Sequence, residues 1–170
     1  MFKKIFVVIF NIILVCISPS VSKGEGIMTI TSPAFLPNAY IPKEYTCQGR
    51  NVNPELNISG IPDGAKSLVL IMDDPDAPGG TWVHWVVYNM PVIFKIEKGT
   101  VPGQQGYNDF GRVAWGGPCP PSGTHKYFFK AYALDTTLSF VQAPRKADVL
   151  KAMEGHILSQ AELIGLYHKQ

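Results

Sequence analysis

Glycine and proline are spread along most of the chain and divide it into short segments. The sequence contains 16 glycines and 14 prolines among 170 residues, and both residue types mark turns and interrupt regular structure. Short segments separated by turns are typical of an all-β domain. A chain of this length can bury the core of one domain, and no repeat or linker divides it. The sequence therefore predicts a single, mainly β domain.

Three segments have the composition of strands. Residues 66–72 (Lys-Ser-Leu-Val-Leu-Ile-Met) form an apolar run, which is typical of a strand buried on both faces. Residues 82–90 and 126–134 are rich in aromatic and β-branched residues, which favour strands. Three shorter segments are weaker candidates for strands: 27–31, 55–58 and 161–167, the last of which would close the sheet.

One segment near the C-terminus has helical periodicity. Val149, Leu150, Met153 and Ile157 recur at three- and four-residue spacing, which predicts one helix face. Pro144 lies just ahead of this segment, where a proline is tolerated. Residues 93–124, in contrast, contain seven glycines and no clear pattern. A loop of this length in a compact domain is usually functional or wraps around the fold.

The first 22 residues have the pattern of a signal peptide. Lys3 and Lys4 give a basic start, residues 5–17 are apolar apart from Asn11, and residues 20–22 are Ser-Val-Ser. This order of regions is typical of export followed by cleavage. Thirteen residues fall short of the roughly 20 that a membrane-spanning helix needs. We therefore expect residues 1–22 to be removed and residues 23–170 to form a periplasmic or secreted domain.

The charge of the predicted domain argues against binding to nucleic acid. The formal net charge of +2 comes from Lys3 and Lys4, so the remaining chain has equal numbers of acidic and basic side chains. No run of lysine and arginine is present. A neutral surface lacks the general attraction for phosphate backbones on which such binding depends.

Two cysteines, Cys47 and Cys119, remain after removal of the predicted signal peptide. In an oxidising compartment they are candidates for a disulfide bond. The alternative is that both are buried thiols that lie apart, because a sequence alone does not bring two cysteines within bonding distance.

Polar residues cluster at the ends of the three strong strands, in residues 72–78, 82–85 and 116–127. Side chains alternate along a strand, so Trp82 and His84 share one face, as do His125 and Tyr127. If these strands are neighbours, the three clusters meet at one sheet edge. Imidazole, phenol and exposed backbone amides would suit an anion there. The alternative is that the aspartates cap turns and the histidines fill strand ends.

These clusters also resemble the signature of a known family. Residues 74–78 (Asp-Pro-Asp-Ala-Pro), His84, Gly117-Pro118 and residues 125–127 (His-Lys-Tyr) are similar to the phosphatidylethanolamine-binding protein family. This family includes the Raf kinase inhibitor proteins and their bacterial relatives. Residues 46–49 (Thr-Cys-Gln-Gly) resemble the bacterial branch. The resemblance extends from about residue 27 to residue 167.

The resemblance implies a two-sheet antiparallel β-sandwich with one or two short helices. It also implies a non-catalytic protein, without a cofactor or metal, whose small pocket binds phosphate, acetate or a phospholipid head group. Pro118 and Pro121 would shape the rim of that pocket. The residues carried over as ligand-binding are Asp74, Trp82, His84, Gly116, Gly117, Pro118, His125 and Tyr127.

Two other functions stay open at this point. In a hydrolase, Asp74, Asp76, His84 and His125 would hold a metal, or Cys119 would act as a nucleophile. No spacing matches a known metal-ligand pattern, and a disulfide would remove the Cys119 thiol. In an interaction module, the chain would inhibit a secreted protease or a kinase, although no segment resembles an inhibitory loop. Whether the protein forms a homodimer is also left open.

Overall fold

The strands and the helix are distributed as an all-β pattern predicts. The computed structural model describes residues 27–169, so the predicted signal peptide lies outside the described residues. A 3₁₀ turn covers Lys43–Tyr45 and the α-helix, α1, covers Lys146–Met153. The strands of the described chain are β1 (Thr29–Thr31), β2 (Leu56–Ser59), β3 (Ser67–Asp74), β4 (Trp82–Met90), β5 (Lys95–Ile96), β6 (Gln104–Gln105), β7 (Thr124–Leu134) and β8 (Ile157–His168).

Two antiparallel sheets form the sandwich. The smaller sheet has the order β1-β2-β5, and the larger sheet has the order β6-β4-β3-β7-β8. Buried side chains of both sheets share one hydrophobic core, in which Ile30 and Leu56 of the smaller sheet pack with Leu70 and Phe129 of the larger sheet. The predicted two-sheet β-sandwich is therefore confirmed.

Strand β3 is buried on both faces, as its continuous apolar run predicts. Successive side chains of a strand point to opposite faces. Leu68 and Leu70 accordingly belong to the core between the sheets, whereas Val69 and Ile71 belong to a second core with α1. Both neighbours of β3 pair with it over most of its length, and its central position explains why none of its residues is exposed.

The helix prediction was wrong at its C-terminal end. Val149 and Met153 are fully buried in the second core, but Leu150 is exposed. Ile157, which was predicted to lie on the same helix face, begins β8 and pairs with Leu134. Gly155 has a positive φ of 78°, a conformation that ends a helix readily because glycine has no Cβ. The chain therefore reverses before Ile157.

Most strand predictions agree with the structure within a few residues, and β8 is the main exception. It begins at residue 157 rather than 161 and pairs with β7 along its whole length. The irregular stretch at residues 93–124 is mostly loop, with only the two-residue strands β5 and β6 in it. Between residues 27 and 169, no helix is long or apolar enough to cross a membrane.

Candidate functional site

The ends of three adjacent strands meet at one edge of the larger sheet. Asp74 ends β3 and lies opposite Trp82, which begins β4. The N-terminal end of β7 is on the other side of β3, since β3 and β7 are antiparallel neighbours. A cavity of about 230 Å³ lies at this edge, with Asp74, Trp82 and His84 in its wall. The other wall residues are Ala77, Pro78, Phe110, Cys119, Pro120 and Pro121.

Asp74 and His125 form a buried pair. The Nδ1 atom of His125 lies 2.7 Å from Oδ2 of Asp74, and both side chains are less than a tenth exposed. A carboxylate accepts hydrogen bonds, so Nδ1 of His125 carries the proton and Nε2 is left for another bond. The second oxygen of Asp74 accepts the backbone N–H of Asp76 at 2.9 Å. Asp74 therefore caps its own turn and orients His125 at the same time.

The turn after β3 is also attached to β7. Oδ2 of Asp76 accepts the backbone N–H of Lys126 at 2.8 Å. This bond holds residues 74–78 against the beginning of β7, next to His125. Asp74 thus makes the turn contact that sequence reasoning allowed as an alternative as well as the histidine contact, whereas Asp76 binds the backbone of β7 instead of capping its own turn.

His84 is held by the loop that begins at Gly116. Its Nδ1 atom lies 2.6 Å from the carbonyl oxygen of Gly116, and the backbone N–H of Gly116 donates to the carbonyl oxygen of His84 at 3.0 Å. A carbonyl oxygen is only an acceptor, so Nδ1 of His84 is protonated. Burial lowers the pKa of His84 from its ordinary value of 6.5, against smaller opposing effects of the Gly116 carbonyl and the Asp74 charge. The ring is therefore neutral at pH 7, with Nε2 as an acceptor.

Tyr127 lies directly beneath His84. The two rings meet edge to face with centroids 5.2 Å apart, and Tyr127 is fully buried. Its hydroxyl is shielded from solvent and interacts with the Asp74 carboxylate and the Cys119 backbone. Burial raises the pKa of the phenol, and the negative charge of Asp74 raises it further. Tyr127 therefore keeps its proton, and hydrogen bonding to the Asp74 carboxylate contributes to the raised pKa as well.

The loop at residues 108–116 is attached to the beginning of β4. Oδ2 of Asp109 accepts the backbone N–H of Val83 at 2.7 Å. The side chain of Asn108, which is fully buried, accepts the backbone N–H of Arg112 at 2.9 Å and donates to the carbonyl oxygen of Ala114 at 2.8 Å. These bonds use the backbone polar groups of an irregular segment, so the loop is held in one conformation beside the cavity.

The next loop is fixed by the predicted disulfide, which is present between Cys47 and Cys119. The backbone N–H of Cys47 donates to the carbonyl oxygen of Pro118 at 3.1 Å, and the N–H of Gly117 donates to Oδ1 of Asn51 at 2.8 Å. A Cβ atom on Gly117 would lie 2.5 Å or less from Asn51 and from the Tyr45 carbonyl oxygen. Only glycine fits there, so the match to a glycine-proline motif has a steric reason.

The eight predicted site residues lie close together but in different layers. Asp74, Trp82 and His84 are in the wall of the cavity, and Gly116 and Gly117 are in the wall of a neighbouring cavity. The remaining three are buried behind these walls: Pro118, His125 and Tyr127. Contact of any of the eight with a ligand stays a prediction.

Sequence reasoning missed Phe110, whose ring contacts both exposed and buried members of the site. Its centroid lies 5.4 Å from that of Trp82 and 5.3 Å from that of His84. Arg112 and Trp115, in the neighbouring cavity, were missed as well. The only available signal was that all three lie in the glycine-rich stretch at residues 93–124, where no periodic pattern indicates which side chains face inward.

Fold and site together define a two-sheet β-sandwich with a small polar cavity at the edge of its larger sheet. A family model described as phosphatidylethanolamine-binding protein matches residues 31–168. The chain therefore belongs to the phosphatidylethanolamine-binding protein family.

Relatives of known sequence and structure agree with this assignment. The UPF0098 protein of Methanothermobacter thermautotrophicus is 49% identical over 150 residues, which cover 84% of this chain and 99% of that protein. The crystal structure of CT736 from Chlamydia trachomatis, a homologue of phosphatidylethanolamine-binding protein, matches with a TM-score of 0.82 and 44% identity, covering 85% of this chain and 99% of that chain. YbcL from E. coli, described as a member of the mammalian family, matches with a TM-score of 0.77 and 31% identity, covering 85% of this chain and 100% of that chain.

Proposed function

We propose that this protein binds the phosphate of a small phosphorylated molecule or phospholipid head group at the Asp74 edge and does not catalyse a reaction. The observation that carries the proposal is the convergence of the Asp74–His125 pair, His84 and the buried Tyr127 hydroxyl beside one cavity. Convergent polar groups around a small cavity are the usual signature of a binding site. Membership in a family named for phosphatidylethanolamine binding supports the same ligand chemistry.

The protonation of His84 gives the proposal a defined pH dependence. Nε2 of the neutral ring is an acceptor, and it becomes a donor to a phosphate oxygen only when the ring takes up a proton. A phosphate monoester has a second pKa of about 6, so it also gains negative charge as the pH rises through this range. These two effects oppose each other below about pH 6. Above that pH only the loss of the His84 proton remains, so affinity should fall as the pH rises from about 6 to 7, and binding there should be accompanied by proton uptake.

The disulfide supports a non-catalytic role over a cysteine hydrolase. Cys119 lies in the cavity wall, and in the disulfide it has no thiolate to act as a nucleophile. We also propose that the protein is exported, on the N-terminal pattern Lys3-Lys4 followed by an apolar segment. The mass of the mature protein tests export, because cleavage after residue 22 leaves a chain that begins at Lys23.

Calorimetric titration with O-phosphoethanolamine tests the binding site. The variant His84→Gln keeps a polar side chain but removes the ring that takes up the proton. We expect it to bind about tenfold more weakly than the unmodified protein at about pH 6. The matched control is His156→Gln, since His156 pairs with Asp135 on the exposed surface and should leave affinity unchanged.

Two results would contradict this proposal. Equal affinity of His84→Gln and the unmodified protein would mean that the phosphate binds elsewhere. Release of ethanolamine or inorganic phosphate from O-phosphoethanolamine during prolonged incubation would mean that the protein is an enzyme.

A further inference from the structure

A second cavity of about 190 Å³ lies next to the first. Phe110 and Cys119 belong to the walls of both cavities, so the two spaces are separated by little more than these side chains. The walls of the second cavity also contain Arg112, Trp115 and Gly117. A ligand group larger than phosphate that is bound in the first cavity has this space as its nearest extension.

Phe110 forms the partition between the two cavities. Its ring packs edge to face against Trp82 and His84, which line the first cavity. On the other side it lies against Gly116: a Cβ atom at that position would be 2.6 Å from two ring carbons of Phe110. Gly116 therefore has to lack a side chain for the ring to stay where it is. Asn108 and Asp109 hold the loop that carries Phe110.

The walls of the two cavities carry different charged groups. The first contains the carboxylate of Asp74 and the His84 ring, which is neutral at pH 7 because burial lowers its pKa. In the second cavity, Arg112 is the charged wall residue, and no acidic side chain of the described chain lines that wall. Among the salt bridges of residues 27–169, none involves Arg112. Its guanidinium group is thus available to an anion.

Trp115 belongs to the wall of the second cavity and packs against neighbouring aromatic rings, those of Trp85 and Phe129. Its indole Nε1–H is buried and has no hydrogen-bond partner within the described chain. Because this donor is shielded from solvent, Arg112 is the accessible group of the wall that favours an oxygen-bearing anionic group.

We propose that the second cavity is a carboxylate subsite, so that the preferred ligand is a phosphate ester that also bears a carboxylate. Arg112 pairs with the carboxylate, and a guanidinium group matches its two oxygens better than any other side chain. Phe110 lies between the two ligand groups and limits how they are spaced. This inference rests on the proposed function, in which the first cavity takes the phosphate.

O-phospho-L-serine and O-phosphoethanolamine form a matched pair of probes because they differ only in the carboxylate. In calorimetric titrations we expect the unmodified protein to bind O-phospho-L-serine about tenfold more tightly. Arg112→Gln should abolish this preference while leaving the affinity for O-phosphoethanolamine unchanged. Arg112→Lys should keep part of the preference because it keeps the charge.

The control for net charge is Arg50→Gln. Arg50 is an exposed arginine outside both walls that pairs with Glu44, and its replacement should leave the preference intact. Equal affinity of the unmodified protein for the two probes would overturn the subsite while leaving the phosphate site in place. An equal loss of affinity for both probes in Arg112→Gln would also overturn the subsite. Failure of both probes to bind the unmodified protein would overturn the proposed function together with the subsite.

Lipids that carry the same two head groups show whether the ligand is a phospholipid or a free metabolite. If the ligand is a lipid head group, vesicles with phosphatidylserine should retain the protein more strongly than vesicles with phosphatidylethanolamine, and Arg112→Gln should remove the difference. If the ligand is a free metabolite, the preference should be seen only with the soluble probes. In either case a preference that depends on Arg112 supports the subsite, and a preference that Arg112→Gln leaves unchanged contradicts it.

Discussion

Asp73 and Asp74 are adjacent carboxylates at the end of β3, yet they lie on opposite faces of the larger sheet and have different surroundings. Asp73 is fully buried and makes salt bridges with Lys130 of β7, at 3.0 Å, and with Lys146, the first residue of α1. Asp74 is also buried, but it pairs with His125 and a backbone N–H and lies in the wall of a cavity.

The comparison shows that residue type and burial alone do not distinguish a structural carboxylate from one at a site. Asp73 faces two cations that fix the helix to the sheet, so its contacts serve the packing of α1. Asp74 faces the His125 ring, the buried Tyr127 phenol and a cavity, so its contacts arrange groups at the candidate site. The difference follows from the alternation of side chains along one strand.

The largest expected effect on stability comes from the Cys47–Cys119 disulfide, which lies at the cavity that Asp74 lines. The bond closes a loop with a sequence separation of 72 residues, and the chain-entropy model assigns about 4 kcal/mol to a loop of this length. Replacing Cys47 and Cys119 together with alanine should lower the free energy of unfolding by about this amount. Urea denaturation measures the difference, and reductant should affect only the unmodified protein. An unchanged free energy of unfolding would mean that the loop is already ordered without the bond.

Asp73→Asn should have the next largest effect. The variant leaves two ammonium groups against a neutral amide in a buried position. Removal of one partner from a fully buried ion pair costs about 3–5 kcal/mol. Because Lys130 and Lys146 are partly exposed, we expect a loss of about 2–3 kcal/mol in the free energy of unfolding. Affinity for O-phosphoethanolamine should stay the same. A weakened affinity would contradict the assignment of Asp73 to structure alone.

Asp74→Asn should have the opposite combination of effects, with a small loss of stability and a clear loss of affinity. The amide oxygen can still accept a hydrogen bond, so we expect a loss in stability of only about 1 kcal/mol. His125 would no longer be held by a charged acceptor, and affinity for O-phosphoethanolamine should fall about three- to tenfold. Urea denaturation and calorimetry on the same sample measure the two effects. A large loss of stability with unchanged affinity would place Asp74 in the same structural class as Asp73.

The smallest expected effect is a pH dependence of stability from His84. Burial lowers the pKa of His84 from 6.5 in the folded protein, so the unfolded chain binds more protons between the lowered pKa and 6.5. The free energy of unfolding should therefore rise with pH through this window, and this contribution is lost on acidification. Urea denaturation between about pH 5 and pH 7 measures the slope. His84→Gln should reduce this slope. An unchanged slope would mean that other titratable groups cause the pH dependence.

Much of the larger sheet was predictable because its strands have strong local signals. The apolar run of β3 and the aromatic and β-branched residues of β4 and β7 indicate buried strands, and their polar ends indicate one shared edge. The start of β8 was not predictable, because Ile157 continues the helical spacing of Met153 and only the positive φ of Gly155 separates helix from strand.

The location of the candidate site was predictable from the strand ends and from the motif that precedes β7, but not from the loop at residues 108–115. Asp74, Trp82 and His84 lie at strand ends whose pairing brings them together. Phe110 and Arg112 are positioned by the side chains of Asn108 and Asp109, through bonds that have no sequence period. The part of the second cavity that Phe110 and Arg112 form consequently has no signal in the sequence, and it becomes visible only when the loops are in place.

A crystal structure of the protein soaked with O-phosphoethanolamine tests the central claim most directly. The account predicts the phosphate at the Asp74 edge, in the cavity between Trp82, His84 and Cys119, with an oxygen within hydrogen-bond distance of Nε2 of His84. The contradicting result is an empty cavity with the phosphate bound instead on the opposite face of the sheet, at the ammonium groups of Lys130 and Lys146.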